Sequence, residues 1–154
     1  MILLETTAKI PHIVLANDNP DECLIFRDAL ENLNIQHIFS LAENGAMLLN
    51  MLDEIEFLPE FIFIDLDMKG ISGKDCLKAI RTSKKLDDVP VIVYSSVINY
   101  QSIADCYNEK ANMYVVKTNY VSTLTNLLES LLQIPASRLL SVQKEEFLQT
   151  MSLS

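Results

Sequence analysis

Cysteine is scarce in this chain and poorly spaced for cross-linking: Cys23, Cys76 and Cys106 are odd in number and form no CxxC pair. That argues against a disulfide framework or a zinc knuckle and fits a reducing, cytoplasmic compartment with three buried thiols. Basic residues are also few, 12 Lys and Arg against 21 Asp and Glu, for a formal net charge of −9. Such a molecule repels phosphate backbones and anionic lipid, and no basic patch stands out, so neither nucleic acid nor a membrane surface is an expected partner. No apolar stretch approaches the ~18 residues of a membrane span. The apolar start of MILLETTAKIPH lacks the basic flank of a signal peptide. Repeats, low-complexity tracts and linkers are missing too. What remains is 154 residues, 49% of them hydrophobic, enough to fill the core of one domain.

Short runs of strand character, HIVLAN (12–17), HIFSLA (37–42), FIFIDL (61–66), PVIVYSS (90–96) and NMYVVK (112–117), alternate with segments of helical period. Leu48, Leu49, Leu52 and Ile55 illustrate that period, as do Leu124, Leu127, Leu128 and Leu131. Five βα units whose strands are apolar on both faces predict a parallel sheet covered by helices on both sides, with right-handed crossovers. Asn19-Pro20-Asp21 and Ser72-Gly73-Lys74-Asp75 each set a capping side chain at a helix start. The domain covers 12–133, behind an N-terminal extension of 1–11. Pro135 breaks the pattern, and Leu139, Leu140, Val142, Phe147, Leu148 and Met151 make 134–154 an amphipathic helical extension. Such a sixth helix docks on its own domain or is offered to a partner or a second copy.

Ligands of an open parallel sheet sit beyond the carboxyl ends of its strands. This chain delivers Asn17 and Asp18, Asp65 and Asp67, Ser95 and Ser96, and Lys117 to four of those ends. Taken singly, each has a plain explanation: Asp18 as a loop or cap residue, the serines as strand-end polar groups, Lys117 as a surface lysine. Their joint placement points to a site. Converging carboxylates repel unless a cation intervenes, and Mg²⁺ suits one or two carboxylates with waters and phosphate oxygens. With a lysine and a hydroxyl alongside, the set describes phosphoryl transfer, in which an attacking carboxylate becomes an aspartyl phosphate.

The pieces IVLANDNPD, FIFIDLDMKGISG, VPVIVYSS and MYVVK, in this order and spacing, resemble the receiver domain of bacterial two-component response regulators across 12–133. The resemblance implies an α/β, flavodoxin-like, doubly wound (βα)5 fold with strand order 2-1-3-4-5. It implies that Asp65 accepts a phosphoryl group from a phosphohistidine of a sensor histidine kinase or histidine phosphotransfer protein. Asp18, Asp65 and the main-chain carbonyl of Asp67 would hold Mg²⁺, while Ser95 and Lys117 would bind phosphoryl oxygens. Tyr114 would turn inward as the switch hydroxyl of Ser95 moves, and Ser96, with Asp67, would gate the approach of hydrolytic water. The VIVYSS run and the C-terminal extension resemble those of the small receivers that serve bacterial phytochrome-like kinases.

Three positions depart from the family pattern. Asn17 stands where a second acid is usual and can reach the metal only through a water, and Lys69 and Thr118 replace two common prolines. The bond before Thr118 is expected to be trans, because a cis bond before a non-proline residue costs about 3 kcal/mol. The leading reading is a stand-alone receiver, not an enzyme beyond self-catalysed phosphoryl transfer and autodephosphorylation. Its output is a surface on the fourth and fifth helices, near Asn99, Tyr100, Tyr107 and Tyr120, that meets an unknown downstream protein or a second copy in a homodimer. Asn17, Lys69 and Thr118 favour instead a degenerate receiver that is never phosphorylated and binds constitutively. A haloacid-dehalogenase-like phosphatase would explain IDLD, with Asp65 as nucleophile, yet the later acid pair it needs for Mg²⁺ is missing.

Overall fold

The computed structural model describes residues 10–149, so most of the N-terminal extension and Met151 lie outside the described residues. Alternating apolar runs and helical segments form β1 (His12–Ala16), α1 (Pro20–Glu31), β2 (Ile38–Ala42), α2 (Gly45–Glu54), β3 (Phe61–Ile64) and α3 (Gly73–Thr82). After a 3₁₀ turn at Lys84–Leu86 come β4 (Val91–Ser95), α4 (Tyr100–Asn108), β5 (Met113–Val116) and α5 (Val121–Gln133). Strands β1 to β5 pair in parallel in the order 2-1-3-4-5. The order reverses between β1 and β3, which opens a crevice at their carboxyl ends.

The two-residue period of the strands divides the core. Val14, Ile62, Ile64, Val93 and Tyr114 point to the face covered by α2, α3 and α4, where Leu48, Leu77 and Cys106 meet them. Ile13, Leu15, Phe63, Ile92 and Val115 point to the other face, against Phe26 and Leu30 of α1 and Leu124 and Leu128 of α5. Strand β3 is buried on both faces, whereas the edge strand β2 is only partly covered. Side-chain caps fix the helix starts: Asn19 accepts from the amides of Asp21 and Glu22, and Ser72 from that of Asp75, as their spacing suggests. Asn44 and Asn99 cap α2 and α4 in the same way. All three cysteines are free and buried, and burial pushes the Cys106 thiol up to about 11, so it stays neutral. Among the described residues no helix is long and apolar enough to cross a membrane.

The C-terminal segment departs from the single amphipathic helix expected of it. It forms two one-turn helices, α6 (Ala136–Leu139) and α7 (Lys144–Phe147), then a strand, β6 (Leu148–Gln149), parallel to β5 at the sheet's edge. The reason lies in where two side chains go. On one continuous helix Leu139 and Phe147 would share a face. Here Leu139 is buried in the α1/α5 side of the core and Phe147 in the opposite side. The chain must therefore break between them and wrap around the β5 edge, docked on its own domain.

Candidate functional site

The sheet's hydrogen-bond ladder continues into the polar residues at its mouth. The amide of Asn17 donates to the Ala42 carbonyl at 3.0 Å, that of Asp65 to Ala16 at 3.0 Å, and that of Lys117 to Ser95 at 2.9 Å. These residues are thus held in register by the buried strands behind them. The start of α3 closes against the same loop. A Cβ on Gly73 would lie 2.2 Å from the Asp65 carbonyl oxygen, so only glycine allows this approach.

Asp65 is 2% exposed. Its Oδ1 accepts from the Asp67 amide at 3.1 Å and its Oδ2 from Lys117 Nζ at 2.9 Å. Burial pushes the Asp65 carboxyl above its ordinary range, and the Lys117 bond and the Asp67 amide offset only part of that. For Lys117, burial pulls downward, but the bonds to Glu22 and Asp65 together outweigh it and hold the ammonium above its usual value. Asp18 is half-buried, and its Oδ2 accepts from the main-chain N–H of Lys69, 51 residues away, at 3.0 Å. A proline at position 69 has no N–H to give, so the lysine ties the β1 loop to the β3 loop as a proline could not.

The remaining expected residues fall at the same mouth in different states. Asn17 is 1% exposed, with Oδ1 accepting from the Asn19 amide at 2.8 Å and Nδ2 donating to Glu22 Oε1 at 3.0 Å. Asp67 is exposed and touches Asp65 through its main-chain N–H. Ser95 is buried, its Oγ accepting from the Val97 amide at 3.0 Å, while Ser96 is exposed. Tyr114 is fully buried and already turned inward, its hydroxyl donating to the Val97 carbonyl at 2.7 Å. Behind it lies the ring of Phe147, 6.2 Å away between centroids. The Lys117–Thr118 bond is trans.

Glu22 is the site residue that sequence reasoning missed. Its Oε1 accepts from Lys117 Nζ at 2.7 Å as well as from Asn17. An acid in the first turn of a helix is favoured by the helix dipole alone, so NPDE gave no separate sign of it.

The donor set suits a small hard cation. Asp18 and Asp65 are carboxylates on neighbouring strand ends, and each oxygen that accepts a hydrogen bond there retains a further lone pair. Among the described residues no three His, Cys, Asp or Glu side chains converge as a metal cage. A cation held by two carboxylates would complete its shell with water, as small hard divalent ions do. A hollow of about 660 Å³ lined by Arg81, Asn112 and Leu139 lies at the amino ends of β4 and β5, away from this chemistry. Its Arg81 guanidinium is committed to the carbonyls of Leu86, Val89 and Lys110 and to the Asn112 side chain.

A family model described as "Response regulator receiver domain" matches residues 13–129. Chemotaxis protein CheY-3 of Vibrio cholerae is 26% identical over 121 residues, covering 79% of this chain and 91% of that protein. Among solved structures, the phosphorylated cyanobacterial phytochrome response regulator RcpA aligns with a TM-score of 0.72 at 24% identity, over 79% of this chain and 91% of its own. The Mn(2+)-bound form of response regulator Rcp1 aligns with a TM-score of 0.70 at 20% identity, over 86% and 96%. Rcp1 is also matched by sequence, as a Synechocystis protein 21% identical to this chain.

Proposed function

Because the chain belongs to the response regulator receiver domain family, we propose that Asp65 accepts a phosphoryl group from a phosphohistidine of a sensor histidine kinase or histidine phosphotransfer protein. As a two-component response regulator it is a signalling domain. The observation that carries the assignment of Asp65 is its carboxylate at the mouth of a fully buried strand, hydrogen-bonded to the ammonium of Lys117. Buried strands give that carboxylate little freedom, which favours a fixed line of attack.

In the proposed step a carboxylate oxygen of Asp65 attacks phosphorus, the P–N bond to the donor imidazole breaks, and the imidazole leaves with the bonding pair. Lys117 donates to a phosphoryl oxygen and Ser95 offers its hydroxyl to another. Asp18, Asp65, the Asp67 carbonyl and, through a water, Asn17 would hold a divalent cation, which we take to be Mg²⁺. When bound, it neutralises charge on the phosphoryl oxygens. A relative solved in a Mn(2+)-bound form supports a divalent ion here. Asp67 and Ser96, both exposed, flank the approach of hydrolytic water. The added charge at Asp65 is read by Ser95 and Tyr114, which share the Val97 main chain, and passes to the surface of α4 and α5. That surface meets a downstream protein or a second copy.

The test is intact mass after incubation with acetyl phosphate, with and without Mg²⁺, on wild type and Asp65→Asn. A gain of one phosphoryl group that needs both Mg²⁺ and Asp65 is the expected result. No gain under conditions that modify an ordinary receiver would overturn the assignment and return the protein to a constitutive binding role.

A further inference from the structure

Glu22 has no part in the site as the sequence describes it, yet one of its oxygens joins two of the site's residues. We infer that Glu22 is a positioning residue that supplies a negative charge matched to the neutral Asn17, and that the pair sets the site's affinity for a divalent cation. The inference rests on the phosphoacceptor reading only for the kinetic consequence drawn from it.

Three observations lead there. First, Glu22 Oε1 takes Lys117 Nζ at 2.7 Å and Asn17 Nδ2 at 3.0 Å. Its side chain is 30% exposed where that of Lys117 is 12% exposed, so a glutamate that could extend into water instead folds back into the mouth. Asp21, its neighbour in the same first turn, makes no bond to the site and suffices for the helix dipole.

Second, the amide of Asn17 is oriented by its partners. Its oxygen accepts from the Asn19 amide, so its NH₂ must face Glu22. An aspartate at position 17 would set two carboxylates at hydrogen-bond distance, and each would oppose ionisation of the other. Asparagine at 17 is therefore the residue that a glutamate at 22 requires. With Asp18 and Asp65, Glu22 leaves the mouth net negative around the single ammonium of Lys117, the balance a cation needs.

Third, an ammonium has three donors. Glu22 and Asp65 take two of those on Lys117, at 2.7 and 2.9 Å. Held between two carboxylates, Lys117 cannot collapse wholly onto Asp65, and one N–H remains for an incoming phosphoryl oxygen.

The experiment is a charge-exchange cycle on the full chain: wild type, Glu22→Gln, Asn17→Asp and the double variant, with Mg²⁺ affinity measured by titration calorimetry. Circular dichroism checks that each variant is folded. Loss of one negative charge from the network around Lys117 should weaken Mg²⁺ binding in Glu22→Gln by about tenfold. The double variant reverses the polarity of the amide–carboxylate pair and should recover to within about twofold of wild type. Asp21→Asn should leave the affinity unchanged. An unaltered affinity in Glu22→Gln, or a double variant no better than Glu22→Gln, overturns the inference, and so does a wild type that binds no Mg²⁺.

Labelling by acetyl phosphate separates the two readings. A wild type that binds Mg²⁺ with the expected coupling but takes no phosphoryl group sinks the phosphoacceptor assignment alone. A wild type that is labelled but shows no coupling sinks the role of Glu22 alone. Where both hold, Glu22→Gln is labelled more slowly, because Lys117 moves onto Asp65, and raising Mg²⁺ alone does not restore the rate.

Discussion

The mouth of the sheet and its β5 edge are built from opposite materials. At the mouth, Asn17, Asp18, Glu22, Asp65 and Lys117 are polar and bonded to one another or to the nearby main chain. At the edge, Leu139 and Phe147 wrap apolar side chains over both faces, and Phe147 meets the rings of Tyr107 and Tyr114. The mouth takes charge out of water and holds it ready for chemistry, which costs the fold stability. The edge adds stability and carries no chemistry of its own. Tyr114 belongs to both, with its hydroxyl on the Val97 carbonyl and its ring against Phe147.

Substitutions can separate the two regions. The largest effect on stability is expected from Phe147→Ala. It should lower the unfolding free energy by about 3 kcal/mol, the low end for a buried aromatic because a terminal segment can relax. Denaturant melts should show this while Asp65 labelling survives; equal loss of labelling would mean that the edge and the mouth are one unit. Gly73→Ala, with a Cβ forced onto the Asp65 carbonyl, should cost about 2 kcal/mol and slow labelling as well, because the loop that carries Asp65 must shift.

Asp65→Asn should do the reverse, abolishing labelling while raising stability at neutral pH by about 1 kcal/mol. The sign follows from burial. Asp65 is raised above its ordinary 3.8, so its ionised form destabilises the fold at pH values above the folded pKa. That cost fades as pH falls through the folded value and is gone below 3.8, so the advantage of the variant should shrink in parallel. A constant advantage in melts across that window would contradict the burial argument. Comparable in size is Asn19→Ala, which removes the cap from the amides of Asp21 and Glu22 and should cost about 1 kcal/mol in the same melts. A loss much above that would tie the cap to the Glu22 network.

How much of this could be read in the sequence differs between the two regions. The mouth was legible because Asp18, Asp65, Ser95 and Lys117 are chemically distinct residues, each placed by the last apolar residue of a strand. Strands apolar on both faces also gave the parallel sheet, and the family resemblance its order. Glu22 was not legible, since a first-turn acid is ordinary and only the tertiary approach of Lys117, 95 residues away, gives it a role. Nor was the edge. Leu139 and Phe147 fit one helical stripe, and what breaks the helix is the sheet between their two burial sites. Lys69 appeared only as a lost proline, although its main-chain N–H is the feature that reaches Asp18.

The most direct test is to locate the phosphoryl group. Acetyl phosphate with Mg²⁺ would be followed by borohydride, which reduces an acyl phosphate to the alcohol, and the product mapped by peptide mass. The account predicts homoserine at position 65 and unmodified aspartate at 18 and 67. Modification at either of those residues, or none anywhere, would contradict it.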